Sequence, residues 1–249
     1  MKVMIAIPSY RGLECPQFLD SLLDTGYLLK EKGIPYVLTI VYGHSYVQAA
    51  RNDIASRFLE SDCDRLIFLD EDISWERAAM EALLASDKPI TAAVYPQKTE
   101  RISGFPMPVV PICNDAGVPL VDGSYLRAVR AMTGFMCIRR EVFTEIQAKF
   151  PELAYRVYGE DGVLEMFDLF PQGVHDGTWL GEDFAFCRLW EKIGGEIAVL
   201  LDFTFGHHRK EKSWYGNLAR FIRQLPGGSG CKEKAVWCVS NEGEILWRI

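Results

Sequence analysis

Short unbroken apolar runs alternate with longer amphipathic stretches through the first hundred residues of the chain. KVMIAI (2–7), YVLTIVY (36–42), RLIFLD (65–70) and PITAAVY (89–95) read as strands. Residues 16–31, 45–59 and 75–85 carry the three- and four-residue spacing of helices. Continuous apolar strands separated by helices predict a largely parallel sheet covered on both faces. From Pro96 to Asp122 the pattern breaks into prolines, glycines and short extended pieces, as in a loop or a small antiparallel excursion. LRAVRAMTGFMCI (126–138) then reads as strands and REVFTEIQAKF (140–150) as a helix. A second irregular stretch, 151–179, leads into LGEDFAFCRLWEKIGG, a helix closed by glycine, and EIAVLLDFTF (196–205), read as a last strand. The tail from His207 is basic at first and holds LPGGSGC (225–231), read as a hinge. Substrate contacts are expected from the two irregular stretches and the tail, since loops carry function on a rigid frame.

Composition narrows the class. At 249 residues, 49% of them hydrophobic, the chain suits one globular domain or one with an appendage. A net charge of −7 argues against a duplex nucleic-acid patch, yet a few local cations suffice for a nucleotide. The opening MKVMIAIPSY is not read as a signal segment. No apolar run reaches the roughly 18 residues of a membrane-spanning helix. Seven cysteines without a C-x-x-C pair suggest reduced thiols and a cytoplasmic location.

The candidate chemistry gathers where strands end, the usual ligand edge of an open parallel sheet. Ser9, Tyr10 and Arg11 follow the first strand, Gly43 and His44 the second, and Asp70, Glu71 and Asp72 the third. The acidic trio either caps the next helix, through Asp72 or Ser74, or holds a hard divalent cation that removes its mutual repulsion. Arg51 lies inside the apolar stripe formed by Val47, Ala50, Ile54 and Phe58. It must snorkel to the helix edge or reach the trio or a bound anion, because an unpaired buried guanidinium is costly. Glu182 and Asp183 open a helix, where acids are favoured by the dipole whatever else they do. Of the histidines, His44 and His175 read as structural or loop residues.

AARNDIASRFLESDCDRLIFLDEDI resembles the nucleotide-sugar half of GT-A glycosyltransferases of the family-two-like group, in which an Ala-Arg-Asn helix precedes a strand ending in a DxD motif. IAIPSYRG is similar to that family's first strand and nucleoside loop, TGFMCIRREVF to its acceptor-side strand and helix, and LGEDFAFCRLWEKIGGEI to its Glu-Asp motif. The resemblance implies a GT-A fold: a Rossmann-like, mostly parallel α/β sheet with a small antiparallel excursion. Its catalytic domain would span residues 1–208, with a nucleotide-sugar half at 1–95, an acceptor half at 96–208, and a tail or lid at 209–249.

The same resemblance implies roles. Pro8, Ser9, Tyr10, Arg11, Arg51, Asp70 and Glu71 would bind the nucleotide sugar. Asp70 and Asp72, with His207 or His208, would hold a divalent cation, manganese favoured over magnesium because imidazole joins carboxylate. Asp183, with Glu182 beside it, would be the base of an inverting transfer from a nucleotide-diphosphate sugar to the hydroxyl of a glycan or other acceptor. Arg209, Lys210 and Lys212 are either a lid over the diphosphate or a solvated charge run. The second strand ends VYGHS, without the acid many members use to read uracil, so the base stays open although a UDP-sugar is favoured. Two alternatives remain. A metal-dependent nucleotidyltransferase would show a glycine-rich loop with lysine where PSYRGLEC stands, and a non-catalytic sugar-nucleotide or glycan-binding module would keep the fold without turnover.

Overall fold

The computed structural model describes residues 1–10, 12–98, 108–159 and 162–224. Arg11 and the 225–231 stretch fall outside that set, as does most of the 209–249 tail. The first half runs β1 (Val3–Ser9), α1 (Pro16–Glu31), β2 (Tyr36–Tyr42), α2 (Val47–Glu60), β3 (Arg65–Leu69), β4 (Ile73–Trp75), α3 (Arg77–Ala85) and β5 (Ile90–Ala92). Next come β6 (Val109–Pro111), β7 (Val121–Asp122), β8 (Tyr125–Ala131), β9 (Phe135–Arg139) and α4 (Arg140–Lys149). Two hairpins follow, β10 (Ala154–Gly159) with β11 (Gly162–Phe167) and β12 (Gly173–His175) with β13 (Thr178–Leu180). The described chain ends with α5 (Glu182–Glu191), β14 (Ile197–Leu200), β15 (Thr204–Arg209), β16 (Lys212–Asn217) and α6 (Leu218–Gln224).

The main sheet has the order β2-β1-β3-β9-β5-β14-β8-β6, with β7 paired to β8. β1 lies parallel to β2 and β3, and β14 parallel to β5. β9 runs against both β3 and β5, and β8 against β14, β6 and β7. Every strand of this sheet except β8 and β9 therefore shares one direction, the mostly parallel α/β arrangement that the sequence predicts. β1 is buried along its whole length. Its alternate residues serve two cores, as strand geometry requires. Val3, Ile5 and Ile7 pack with Phe18, Leu28 and Leu29 of α1 and Met80 and Leu83 of α3. Met4 and Ala6 pack with Ile54 and Phe58 of α2, Phe143 and Ile146 of α4, and Phe186 of α5.

Four stretches differ from the sequence reading, one being the tail, where β15 continues through Arg209 and β16 and α6 follow. The third helix starts only at Arg77, because Ile73–Trp75 is a strand. Trp75 fixes it: the indole packs against Phe18 and Phe135, and its Nε1 donates to Thr25 Oγ1 at 3.1 Å. The apolar run 196–205 is two strands, since the chain leaves the main sheet after Leu200 and β15 pairs instead with β4 and β16. The second irregular stretch holds the two hairpins. Their exposed Tyr158, Val163, Leu164, Val174 and Trp179 blur the apolar–polar alternation by which a strand is recognised.

Two polar anchors tie α2 to the rest. The Arg140 guanidinium donates to the carbonyls of Phe58, Leu59, Ser61 and Cys63, satisfying acceptors at and just beyond the α2 C-terminus. Asn52, buried on α2, donates to Asp168 Oδ1 at 2.8 Å and accepts from Leu169 N–H at 3.0 Å and Phe170 N–H at 3.2 Å. This seats Phe170 against Phe186 and Phe68, just ahead of the β12–β13 hairpin and α5. Asn52→Ala orphans two buried N–H groups and is expected to lower unfolding stability by about 2–4 kcal/mol, read from denaturant midpoints. A loss under about 0.5 kcal/mol would mean that water replaces the amide without cost.

Candidate functional site

The shared direction of β1 and β3 brings Pro8, Ser9 and Tyr10 to the same rim as Asp70, Glu71 and Asp72. α2 contributes Val47, Ala50 and Arg51, α5 contributes Glu182 and Asp183, and β15 contributes His207. Together with His44, Ser45, Tyr95 and Met132 these residues line one cavity of about 540 Å³. It gathers every described residue to which the family resemblance gives a role except His208; Gly43 and the lid candidates Arg209, Lys210 and Lys212 do not line it.

Arg51 is the hub. Its side chain is 3% exposed, and Nη2 donates to Asp70 Oδ1 at 2.9 Å while Nε reaches Glu182 Oε1 at 3.4 Å. The guanidinium lies over the Phe68 ring, 5.3 Å from its centroid. Burial disfavours its charge, but Asp70, Glu182 and Asp183 more than compensate and raise its pKa. Nη1 is buried without a partner.

Both Asp70 oxygens are hydrogen-bonded, because the second accepts from the Tyr95 hydroxyl at 2.7 Å. Burial, then the neighbouring Asp70 charge, raises the Tyr95 pKa well above its ordinary value, so the phenol stays a donor. Gly134 makes room for this pair. A Cβ there would sit 2.1 Å from the Tyr95 hydroxyl and 2.2 Å from Asp70 Oδ2. Glu71 turns toward Ser9 and the Tyr10 backbone. Burial raises its pKa against the opposing Ser9 hydrogen bond, and its Oε2 is buried without a partner.

Asp72 faces different company. His207 Nε2 lies 3.3 Å from its Oδ1, and the Lys98 ammonium bonds its Oδ2. Burial pushes the Asp72 carboxyl up, but His207 and Lys98 outweigh it and hold the pKa below the ordinary value. The ladder between β4 and β15 sets this meeting by pairing His207 with Ile73 and Gly206 with Ser74. Side chains alternate along a strand, so the two histidines point to opposite sides. His208 is 4% exposed, held between Ser74 Oγ at 2.9 Å and Ser213 Oγ at 2.7 Å, and does not line the cavity. Gly206 is equally constrained, since a Cβ would meet Ser74 Oγ at 2.5 Å.

Asp183 opens α5 and accepts from its neighbour's N–H, Phe184 N to Oδ1, at 2.8 Å. Burial first, then the Glu182 charge, pushes its carboxyl up to about 7, against the opposing pull of Arg51.

As a cation site the arrangement is sparse. Among the described residues no group of three or more His, Cys, Asp and Glu side chains is arranged to hold a metal ion. Asp70 is bonded to Arg51 and Tyr95, although each of its oxygens keeps a further lone pair, while Asp72 and His207 are the two donors that face each other. His207 Nδ1 lies 2.7 Å from the Pro96 carbonyl, a second contact that orients Nε2 toward Asp72. Two donors of this kind fit a cation that completes its shell with substrate phosphates and water, not a closed protein cage.

Tyr95, Lys98 and Gly134 were missed in the sequence. Tyr95 ends the fourth apolar run, so the strand-end rule applied to the first three runs would have found it. Nothing in the local pattern singles out Lys98.

No protein-family model and no curated protein matches the chain. Among solved structures, it is similar to A197 from STIV at 20% identity and a TM-score of 0.48, covering 85% of this chain and 88% of that one. GalNAc-T7, solved with UDP, GalNAc and Mn2+, is similar at 14% identity and a TM-score of 0.40, over 80% of this chain but only 42% of that chain. The inositol-1-phosphate CTP transferase from T. maritima is similar at 10% identity and a TM-score of 0.38, over 80% and 85% of the two chains. No described helix is long and apolar enough to cross a membrane.

The Asp183 shift has a consequence for stability. Between its ordinary 3.8 and the folded value of about 7, the native state binds the proton more tightly than the unfolded chain. Stability from this group is therefore present at low pH and is lost as pH rises through that window. Asp183→Asn removes the ionisation. The variant should melt level with the parent near about pH 4 and a few degrees above it near about pH 8. A difference that does not vary with pH would show that the carboxyl titrates in its ordinary range.

Proposed function

We propose that the chain is a glycosyltransferase that moves a sugar from a nucleotide-diphosphate donor to an acceptor hydroxyl, with a divalent cation as its cofactor. The observation that carries this reading is the pairing, within one cavity, of an acid held at about 7 with a carboxylate–imidazole pair. A general base works best with a pKa near the operating pH, and the environment of Asp183 supplies that.

Each residue then has a task. Ser9, Tyr10 and Glu71 border the part of the cavity given to the nucleoside. Arg51 is fixed by Asp70 and Glu182 and offers its spare Nη1–H to an anionic oxygen of the donor. Asp72 and His207 would hold the cation, His207 rather than His208. When bound, that ion supplies Lewis-acid neutralisation of the charge that builds on the departing diphosphate. Asp183 takes the proton of the acceptor hydroxyl as its oxygen attacks the anomeric carbon, the carbon–diphosphate bond breaks, and the configuration inverts. Glu182, tied to Arg51, keeps a second negative charge beside Asp183 and so keeps it basic. A UDP-sugar with Mn2+ is the first combination to try.

Thermal melting with a panel of sugar nucleotides, with and without Mn2+, tests donor binding: a ligand at about 100 times its Kd adds about 2.7 kcal/mol. Arg51→Lys keeps the charge of the hub but loses the fork. It should weaken nucleotide binding by about 1.5–3 kcal/mol in calorimetry. Unchanged affinity with lowered melting would make Arg51 purely structural. Asp183→Asn should still bind donor while turnover falls about 100- to 10,000-fold. Near-parental turnover would remove Asp183 as the base.

A further inference from the structure

We propose that Lys98 is the site's own counter-ion, which must leave Asp72 before a divalent cation can be fully held and which thereby makes cation binding depend on an accompanying diphosphate. The proposal rests on the cation reading of Asp72 and His207 given above. A carbonyl can only accept, so the contact between His207 Nδ1 and Pro96 places the proton on Nδ1. Nε2 is then the nitrogen that faces Asp72, 3.3 Å from Oδ1, and it becomes a ligand when a cation takes the place of a proton between the two. The other Asp72 oxygen is taken by the Lys98 ammonium, on a side chain only 16% exposed.

Pro96 and Lys98 lie in one short segment after β5, so the backbone that orients the imidazole also delivers the competing charge. Asp70 relieves the competition little, because its charge is already paired with Arg51 and its second oxygen with Tyr95. Asp72 alone would then face an entering dication and an ammonium, which repel each other across a single negative charge. A diphosphate resolves the conflict. Its oxygens give the ammonium a new acceptor and the cation the ligands that the protein does not provide. The bare ion is therefore bound weakly, and the ion with diphosphate well.

Calorimetric titration of Mn2+ into the parent protein, Lys98→Met, Lys98→Arg and Asp72→Asn, each with and without inorganic pyrophosphate, tests this. Lys98→Met keeps the stem's packing and should bind Mn2+ alone about fivefold tighter, the upper worth of one partly exposed ion pair. It should also lose part of the gain that pyrophosphate gives the parent. Lys98→Arg retains the charge and should titrate like the parent. Equal or weaker Mn2+ binding by Lys98→Met would overturn the counter-ion role while leaving the cation site in place. Mn2+ binding that survives Asp72→Asn, or that no form shows, would overturn the cation reading and this proposal with it.

Discussion

One buried guanidinium holds the site together. Five carboxylates, Asp70, Glu71, Asp72, Glu182 and Asp183, border a single cavity, and such a concentration of like charge opposes folding. Arg51 offsets it from within, bonded to Asp70 from the third strand and Glu182 from the last long helix, two elements that are remote in sequence. Removing one partner from a buried pair is far more damaging than the pair is stabilising, so this contact fixes where β3 and α5 meet. Charge alone does not achieve the fit. The Tyr95 hydroxyl and the missing side chain of Gly134 give Asp70 the space and the second hydrogen bond it needs.

The carboxylates divide by the company they keep. Asp70 faces a permanent cation and a phenol, and it acts as a strut. Asp72 faces the His207 imidazole, which lines the cavity, and the Lys98 ammonium. Asp183 is buried beside Glu182 and rises to about 7. Asp72 and Asp183, two acids of the same chemistry in one cavity, thus move in opposite directions because their neighbours differ.

Much of this was legible in the chain. The apolar runs located β1, β3 and β9 because strands buried on both faces leave little ambiguity, and β2, a sheet edge, by its unbroken apolar run. The place of Arg51 within an apolar helical stripe announced a buried charge before any partner was known. The acidic trio was one of the partners considered, and Asp70 is that partner; Glu182 was not legible, since it lies 131 residues away and only folding brings the two together. β4 escaped notice because three residues carry no periodicity, and its existence is decided by Trp75 finding Phe18 and Phe135. The histidine doublet could not be resolved from sequence either. Which imidazole faces Asp72 depends on strand register, and that register is set by β4, the element that was missed. Asn52 shows the same limit: nothing in its own helix indicates that it ties down the chain at 168–170.

The glycine ahead of the histidine doublet governs how this protein can vary in length. Two adjacent histidines look like a spare, as if losing one residue from 201–203 would simply bring His208 into the place of His207. That shift would also carry His207 into the place of Gly206, where even a Cβ meets Ser74 Oγ at 2.5 Å. The second histidine therefore gives no insurance against a deletion. A change of length between β14 and β15 thus disturbs the site, whereas the hairpins between α4 and α5 lie outside the β4–β15 ladder that sets the histidine register.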